Sequence, residues 1–345
     1  MKNIRLLIAI LVVFTIVLSG CAKQTENKPA NATSTAAATN YEGLTVKLGV
    51  QGSGGLFGKA REEKWFETEF EKLGVKVEWS EFQSGPPMTE AMASNRLDFA
   101  GLGNMPVVAA QAADIPFKII SQILDGKKNV ALIVPTNSPV KKLEDLKGKK
   151  IAVAKGSNAF NFLYRSLEQS GLKTSEVEVI QLQPDEAQPA FENGGVDAWA
   201  TWDPYITLNT LNGKGRVLAD GEALGVLSPS FNIVRKQFAE KYPDLVTLYL
   251  KVLEKTRLWE NDNKDEALKR YAAERKVPVE VIKGTFERST MINIATSKEI
   301  AAELQKTADF QFGIKSIRKQ IQVADIIDNQ YVEKALKQIA DEKKK

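Results

Sequence analysis

Along this chain, short apolar runs that suit strands alternate with stretches of helical spacing from Leu44 to about Val134 and again to about Val234. Leu44 to Val50 reads as a strand. Arg61 to Leu73 reads as a helix, with Trp65, Phe66, Phe70 and Leu73 at helical intervals and Gly74 as its stop. Val75 to Glu81 returns as a strand, Gly85, Pro86 and Pro87 form a rigid turn, and Met88 to Asn95 and Val107 to Ala113 read as helices. Ile119 to Ile123 and Val130 to Val134 have the unbroken apolar character of buried strands. Pro135 to Pro139 is a turn-rich crossing, after which helices at Leu143 to Leu146 and Phe160 to Gln169 alternate with strands at Val177 to Gln181 and Ala198 to Trp202. A second crossing falls near Ser228 to Val234. From Lys236 the pattern is almost wholly helical, with one stripe at Leu245, Leu248, Tyr249, Val252 and Leu253 and another at Val332, Ala335, Leu336 and Ile339. Such stripes are packing surfaces, so this region is expected to buttress the first lobe and to supply little chemistry.

Two stretches repeat one design. Leu44 to Val50 leads into Gly52 and Ser53, then a helix, then Leu97, Asp98 and Phe99 before Asn104 and Pro106. Lys150 to Ala154 leads into Gly156 and Ser157, then a helix, then Val196, Asp197 and Ala198 before Asp203 and Pro204. Ser53 to Asp98 spans 45 residues and Ser157 to Asp197 spans 40, so order and near-spacing are kept. This predicts two α/β lobes facing one cleft, with strand ends and helix N-termini offering free N–H groups to an anion.

At the N-terminus, Lys2 and Arg5 precede an apolar run of 13 residues, Leu6 to Leu18, too short for a membrane span of roughly 20 residues. Leu18, Ser19, Gly20 and Cys21 follow and resemble a bacterial lipobox, and Cys21 is the only cysteine. Residues 1–20 are therefore expected to be a lipoprotein signal peptide, with acyl chains on Cys21 holding the protein at a membrane outside the cytoplasm. Residues 21–40, rich in Ala, Thr and Asn, are expected to form a tether.

Without Lys2 and Arg5 the chain keeps 45 basic and 43 acidic residues, which is not a nucleic-acid-binding balance. It has no histidine, which removes Ser-His-Asp, Cys-His and His-based zinc chemistry. Gly58 and Lys59 fail as a phosphate loop, because Ala60 stands where Ser or Thr is needed, and Gly101 and Gly103 lack the third glycine of a dinucleotide fingerprint. No cofactor, metal or catalytic residue is expected.

The segments FQSGPPMTEAMASNRLDFAGLGNMPVVAAQAAD (82–114), SPVKKLEDLKGKKIAVAKGS (138–157) and GGVDAWATWDPY (194–205) resemble the aliphatic sulfonate-binding proteins of ABC importers, a group that also includes taurine, nitrate and bicarbonate binders. The resemblance implies an α/β, two-lobed periplasmic-binding-protein-like fold of type II that closes about a hinge, with a helical C-terminal region on the first lobe. It divides the chain into lobe one (41–135), lobe two (136–229) and a return to lobe one with the helical region (230–345). It implies a monomer that passes a small organic anion to a permease and its ATPase, without turnover. Enzymes of related fold that make the thiamine pyrimidine depend on histidine and cysteine clusters, which this chain does not offer.

A sulfonate has no proton to donate, so its site needs hydrogen-bond donors. Candidates are Gln51, Ser53 and Gly54 after the first strand, Gly85, Pro87 and Met88 at a second helix start, and Gly156, Ser157 and Asn158 in the repeat. Asn104 and Met105 join them, Asn104 standing where the family pattern often has aspartate, which removes a charge and adds a donor. Trp202 is expected to face the cleft and Trp199 the core, and an indole can wall an alkyl chain. Asp203 either caps the turn at Pro204 or accepts from the ammonium of a taurine-like ligand, the first being preferred.

Overall fold

Runs that bury both faces of a strand, such as Val130 to Val134, can only be central strands of sheets covered on both sides. A computed structural model describes residues 41–52 and 56–344, which lie in one compact unit, Asn40–Lys345. The leader, the tether, Cys21, Ser53 and Gly54 lie outside the described residues.

The first part of the chain forms β1 (Thr45–Gln51), α1 (Leu56–Glu62), α2 (Trp65–Glu71), β2 (Lys76–Phe82), α3 (Gly85–Ala93), β3 (Phe99–Gly103), α4 (Asn104–Ala112) and β4 (Phe117–Leu124). Next come β5 (Val130–Pro135), β6 (Lys150–Val153), α5 (Asn158–Gln169), β7 (Glu178–Gln181), α6 (Pro184–Glu192), β8 (Ala198–Trp202), α7 (Tyr205–Leu211), β9 (Gly215–Asp220) and α8 (Gly221–Leu224). The chain ends with β10 (Ser230–Arg235), α9 (Lys236–Lys241), α10 (Pro243–Asp262), α11 (Lys264–Arg275), α12 (Val279–Arg288), α13 (Lys298–Gly313) and α14 (Gln330–Glu342).

Two five-stranded sheets result, ordered β2-β1-β3-β10-β4 and β7-β6-β8-β5-β9. Each has three parallel strands on one side, and in each the strand that directly follows a crossing between lobes, β10 or β5, runs antiparallel next to them. The repeat seen in the sequence has a shared bond. Asp98 Oδ2 accepts from the Lys47 N–H at 3.0 Å, and Asp197 Oδ2 accepts from the Lys150 N–H at 2.8 Å. In both lobes one aspartate thus ties the starts of two parallel neighbours together, β3 to β1 and β8 to β6.

Because Val130–Pro135 pairs with β8 and β9, it belongs to the second sheet. The chain therefore crosses between lobes at residues 125–129 and 225–229, earlier than the turn at Pro135 to Pro139 suggested. The crossings are bonded to each other, Ser228 N–H to the Gly126 carbonyl at 2.8 Å and Asn129 Nδ2 to the Ser228 carbonyl at 3.0 Å. Gly126 has φ +86°, and a Cβ there would sit 2.3 Å from the Pro229 nitrogen, so no other residue fits.

In the first lobe, Val46, Leu48, Phe66, Phe70 and Tyr249 form the core on one face, and Met88, Met92, Val108 and Leu304 lie on the other. In the second, Phe162 and Leu163 of α5 cover one face and Ala187, Phe191 and Ile206 the other. The helix expected over Arg61 to Leu73 is broken at Lys64, whose φ of 53° is left-handed, and α1 and α2 pack separately against α10. The helix expected from Val107 starts at Asn104, which places Asn104 and Met105 in its first turn. α10 and α14 pack on the first lobe, whereas α12 rests on α7 of the second, so closely that a Cβ on Gly284 would lie 2.5 Å from Thr207 Cγ2. α13 also reaches the second lobe, through Arg165–Glu303 at 2.6 Å and Gln311 Nε2 to Asn161 Oδ1 at 2.9 Å.

Candidate functional site

The carboxyl ends of β1, β3 and β8 meet around a cavity of about 270 Å³ between the lobes. Gln51, Gly101 and Gly103 line it from the first sheet, and Trp202 and Asp203 from the second. Two helix N-termini open onto it, that of α3 through Gly85 and that of α5 through Ser157 and Asn158. Unpaired N–H groups and the helix dipole make such ends favourable for anions. Ser157 is the N-cap of α5, its Oγ accepting from the Phe160 N–H at 3.2 Å. Asn158 Oδ1 accepts from the Ala159 N–H at 3.0 Å, so the carboxamide NH₂ is the part of that side chain available to donate.

The lobes touch beside this cavity. A Cβ on Gly103 would lie 2.7 Å from Asn158 Cβ in the second lobe, while within the first lobe one on Gly85 would lie 2.5 Å from Pro106 Cγ, so α3 and α4 pack closely at the cavity. Gly156, with φ +73°, is not a wall of the cavity but faces Pro86 across the cleft, where its Cβ would sit 3.4 Å from Pro86 Cγ. Small residues at these places let two backbones close over a small ligand.

Trp199 is buried against Phe191 and Tyr205, with ring centroids 6.1 and 5.3 Å away, while Trp202 lines the cavity. Gln51 lines it too, with Nε2 donating to the Gly101 carbonyl at 3.2 Å. Asp203 is the one carboxylate among the described residues of the wall, and both its oxygens are engaged. Oδ1 accepts from the Thr207 N–H at 3.0 Å and from Thr207 Oγ1 at 2.6 Å, and Oδ2 accepts from Arg288 Nε at 3.0 Å. Burial pushes the Asp203 carboxyl above its ordinary range, and Thr207 and Arg288 oppose that rise.

Other candidates lie away from the wall. Met88 and Met105 are core residues. Asn104 is fully buried: Nδ2 donates to Thr307 Oγ1 at 3.3 Å and to the Leu227 carbonyl at 3.4 Å, and Oδ1 accepts from the Met105 N–H at 2.8 Å. Its carboxamide joins α4 to α13 and to the second crossing rather than to the cavity. Pro87 is half-buried in the first turn of α3 and also off the wall.

What the sequence did not suggest is a third wall. Tyr271, Arg275, Ile282, Phe286 and Ser289, from the α11–α12 hairpin and the residue after it, line the same cavity with Phe57 and Met291. The helical tail is thus part of the site and not only a buttress. Arg275 is the sole cation among the described wall residues. Its guanidinium nitrogens lie 3.5 Å from where a Cβ on Gly52 would be. Burial lowers its pKa, with Tyr205 and Glu274 opposing, though a guanidinium keeps its charge in proteins.

A family model described as NMT1/THI5 like matches residues 60–267. A Bacillus subtilis (strain 168) protein described as aliphatic sulfonates-binding is 42% identical over 293 residues, spanning 85% of this chain and 88% of that protein. The alkanesulfonate-binding protein of Xanthomonas axonopodis pv. citri, solved bound to MOPS, superposes with a TM-score of 0.77 at 30% identity, covering 84% of this chain and 99% of that one. The periplasmic aliphatic sulphonate binding protein of Escherichia coli gives 0.73 at 31% identity, covering 82% and 97%. With its two lobes, its cleft and these relatives, the chain belongs to the NMT1/THI5-like family.

Proposed function

We propose that this protein is an extracytoplasmic solute-binding protein of an ABC importer that captures an aliphatic sulfonate and hands it to the permease and its ATPase. The observation that carries this reading is the convergence of the α3 and α5 N-termini on one cavity whose only described carboxylate, Asp203, is already held by Thr207 and Arg288. Such a wall offers donors to three sulfonate oxygens and apolar surface, including Trp202 and Phe286, to an organic tail. The relatives at 30–42% identity are described as binding aliphatic sulfonates or alkanesulfonates, which supports the same substrate class. In this reading the ligand-binding residues are Gln51, Gly85, Ser157, Asn158 and Trp202, with Ser53 and Gly54, which follow β1 in the sequence, and Asp203 positions the wall. The lobes open and close about residues 125–129 and 225–229, a hinge-type transition. Acyl chains on Cys21 keep the binder, a monomer without turnover, at the outer face of the cell membrane.

A thermal-shift screen tests the substrate. Melting temperature is expected to rise with 1-butanesulfonate, because a ligand at a hundredfold excess over its dissociation constant stabilises by about 2.7 kcal/mol. A rise with nitrate, bicarbonate or a pyrimidine precursor and none with sulfonates would keep the binder and reject the sulfonate.

A further inference from the structure

The α11–α12 hairpin carries features that its packing leaves unexplained. It closes a small core of its own, Leu268, Tyr271, Ala272 and Ile282, and spans the cleft. Its first helix is tied to the first lobe by Lys59–Glu266 at 3.2 Å and by Arg270–Glu62. The second helix is tied to the second lobe by Arg288–Asp203 at 3.0 Å. Arg275, at the end of α11, forms neither a hydrogen bond nor an ion pair with any described residue, and its neighbour Glu274 is engaged by Arg270. Tyr271 is 5% exposed and lines the cavity, yet its hydroxyl has no partner among the described residues. The same holds for the Ser289 hydroxyl and for Asn129 Oδ1, both on residues of the wall. Buried polar groups without partners are rare in native proteins, and three on one wall beside an unpaired guanidinium mark a place where a bound molecule completes the bonding.

Resting on the sulfonate reading, we propose that the hairpin is a ligand-binding element in which Arg275 neutralises the sulfonate while Phe286 and Ile282 hold its organic tail. Arg275 stands beside Gly52, at the end of β1, where the strand ends deliver the anionic head. A planar guanidinium matches two oxygens of an oxyanion at once, which an ammonium does not. Phe286 and Ile282, from the following helix, add apolar wall one turn apart on the same side of α12. Since the hairpin is bonded to both lobes, a ligand held by it is held against both.

Equilibrium titrations of the purified protein with methanesulfonate and 1-butanesulfonate test this, using the wild type and the variants R275Q, R275K and F286A. R275Q is expected to weaken both ligands by about 10- to 100-fold, the worth of a hydrogen bond to a charged group, and R275K, whose ammonium does not match two oxygens at once, by at least about fivefold. F286A is expected to weaken 1-butanesulfonate more than methanesulfonate. Ligand-free melting temperatures within a few degrees of the wild type establish that the variants fold, and R275K, which keeps the charge, carries the test if R275Q does not. If wild type binds neither sulfonate, the proposed function fails. If wild type binds but R275Q, or R275K in its place, binds within threefold of it, the assignment to Arg275 fails while the proposed function stands.

Discussion

Arg288 and Asp203 lie 3.0 Å apart, Nε to Oδ2, and the same guanidinium donates through Nη2 to the Lys128 carbonyl at 2.6 Å. One side chain of α12 thus fastens the tail to the rim of the second lobe and to the first crossing. The Asp203 side chain is only 6% exposed, so its charge depends on this partner. Breaking such a pair from one side leaves an uncompensated buried charge. Arg288→Met is expected to destabilise the fold by about 3 kcal/mol. Asp203→Asn, which retains an acceptor for Thr207, is expected to cost less. Urea unfolding of the two variants checks the order, and equal costs would contradict it.

Engagement of Asp203 also bears on selectivity. A ligand with an ammonium group finds no free carboxylate on the described wall, and its charge would be desolvated without a partner. Taurine is therefore expected to bind at least about tenfold more weakly than ethanesulfonate, a difference of roughly 1.4 kcal/mol. Competition between the two for one site checks this, and equal affinity would show that another group meets the ammonium.

Much of this site was legible, for a physical reason. The paired Asp98 and Asp197 stand at equal places in two copies of one supersecondary unit, and each accepts from the first strand's backbone, so local sequence carries the bond. Ser157 and Trp202 were legible in the same way, as a helix cap and as the last residue of a strand that ends at the cleft. Arg275 was not. Its helix reads KDEALKRYAAER, which looks like any solvated surface helix, and nothing within it signals that Gly52 lies alongside. Asn104 misled because the helix begins at that residue, turning its carboxamide toward Thr307 instead of the cavity.

Trp202 is the aromatic wall contributed by the second lobe. Trp202→Ala is expected to weaken long-chain sulfonates by about 10- to 100-fold and methanesulfonate by less, since the loss scales with apolar contact. Tryptophan fluorescence on titration offers a direct readout. A loss independent of chain length would place the tail elsewhere.

Glu260 in α10 gives the fold a pH signature away from the cavity. Burial pushes its carboxyl from 4.5 up to about 8, opposed only by Arg257, and Oε1 has no partner among the described residues. A folded pKa above the unfolded one means that this group favours the fold fully below about pH 4.5, and the advantage is lost as pH rises to 8. Glu260→Gln is expected to match the wild type near pH 5 and to be more stable at pH 8.5, by at most about 4 kcal/mol. Melting curves of both proteins across that range check the sign, and parallel curves would contradict it.

Gly126 sets the first crossing. Its φ of +86° and the 2.3 Å approach of the Pro229 nitrogen to a Cβ mean that Gly126→Ala must displace backbone. The variant is expected to lose more than about 2 kcal/mol of stability. An unchanged unfolding midpoint would show that the crossings are not held as described.

Isothermal titration of the purified protein with 1-butanesulfonate, at several temperatures, decides whether the cavity is a sulfonate site. One site per chain is expected, with a negative heat-capacity change from burial of the alkyl tail between Trp202 and Phe286. No saturable binding of any alkanesulfonate, in a protein that still melts cooperatively, would contradict it.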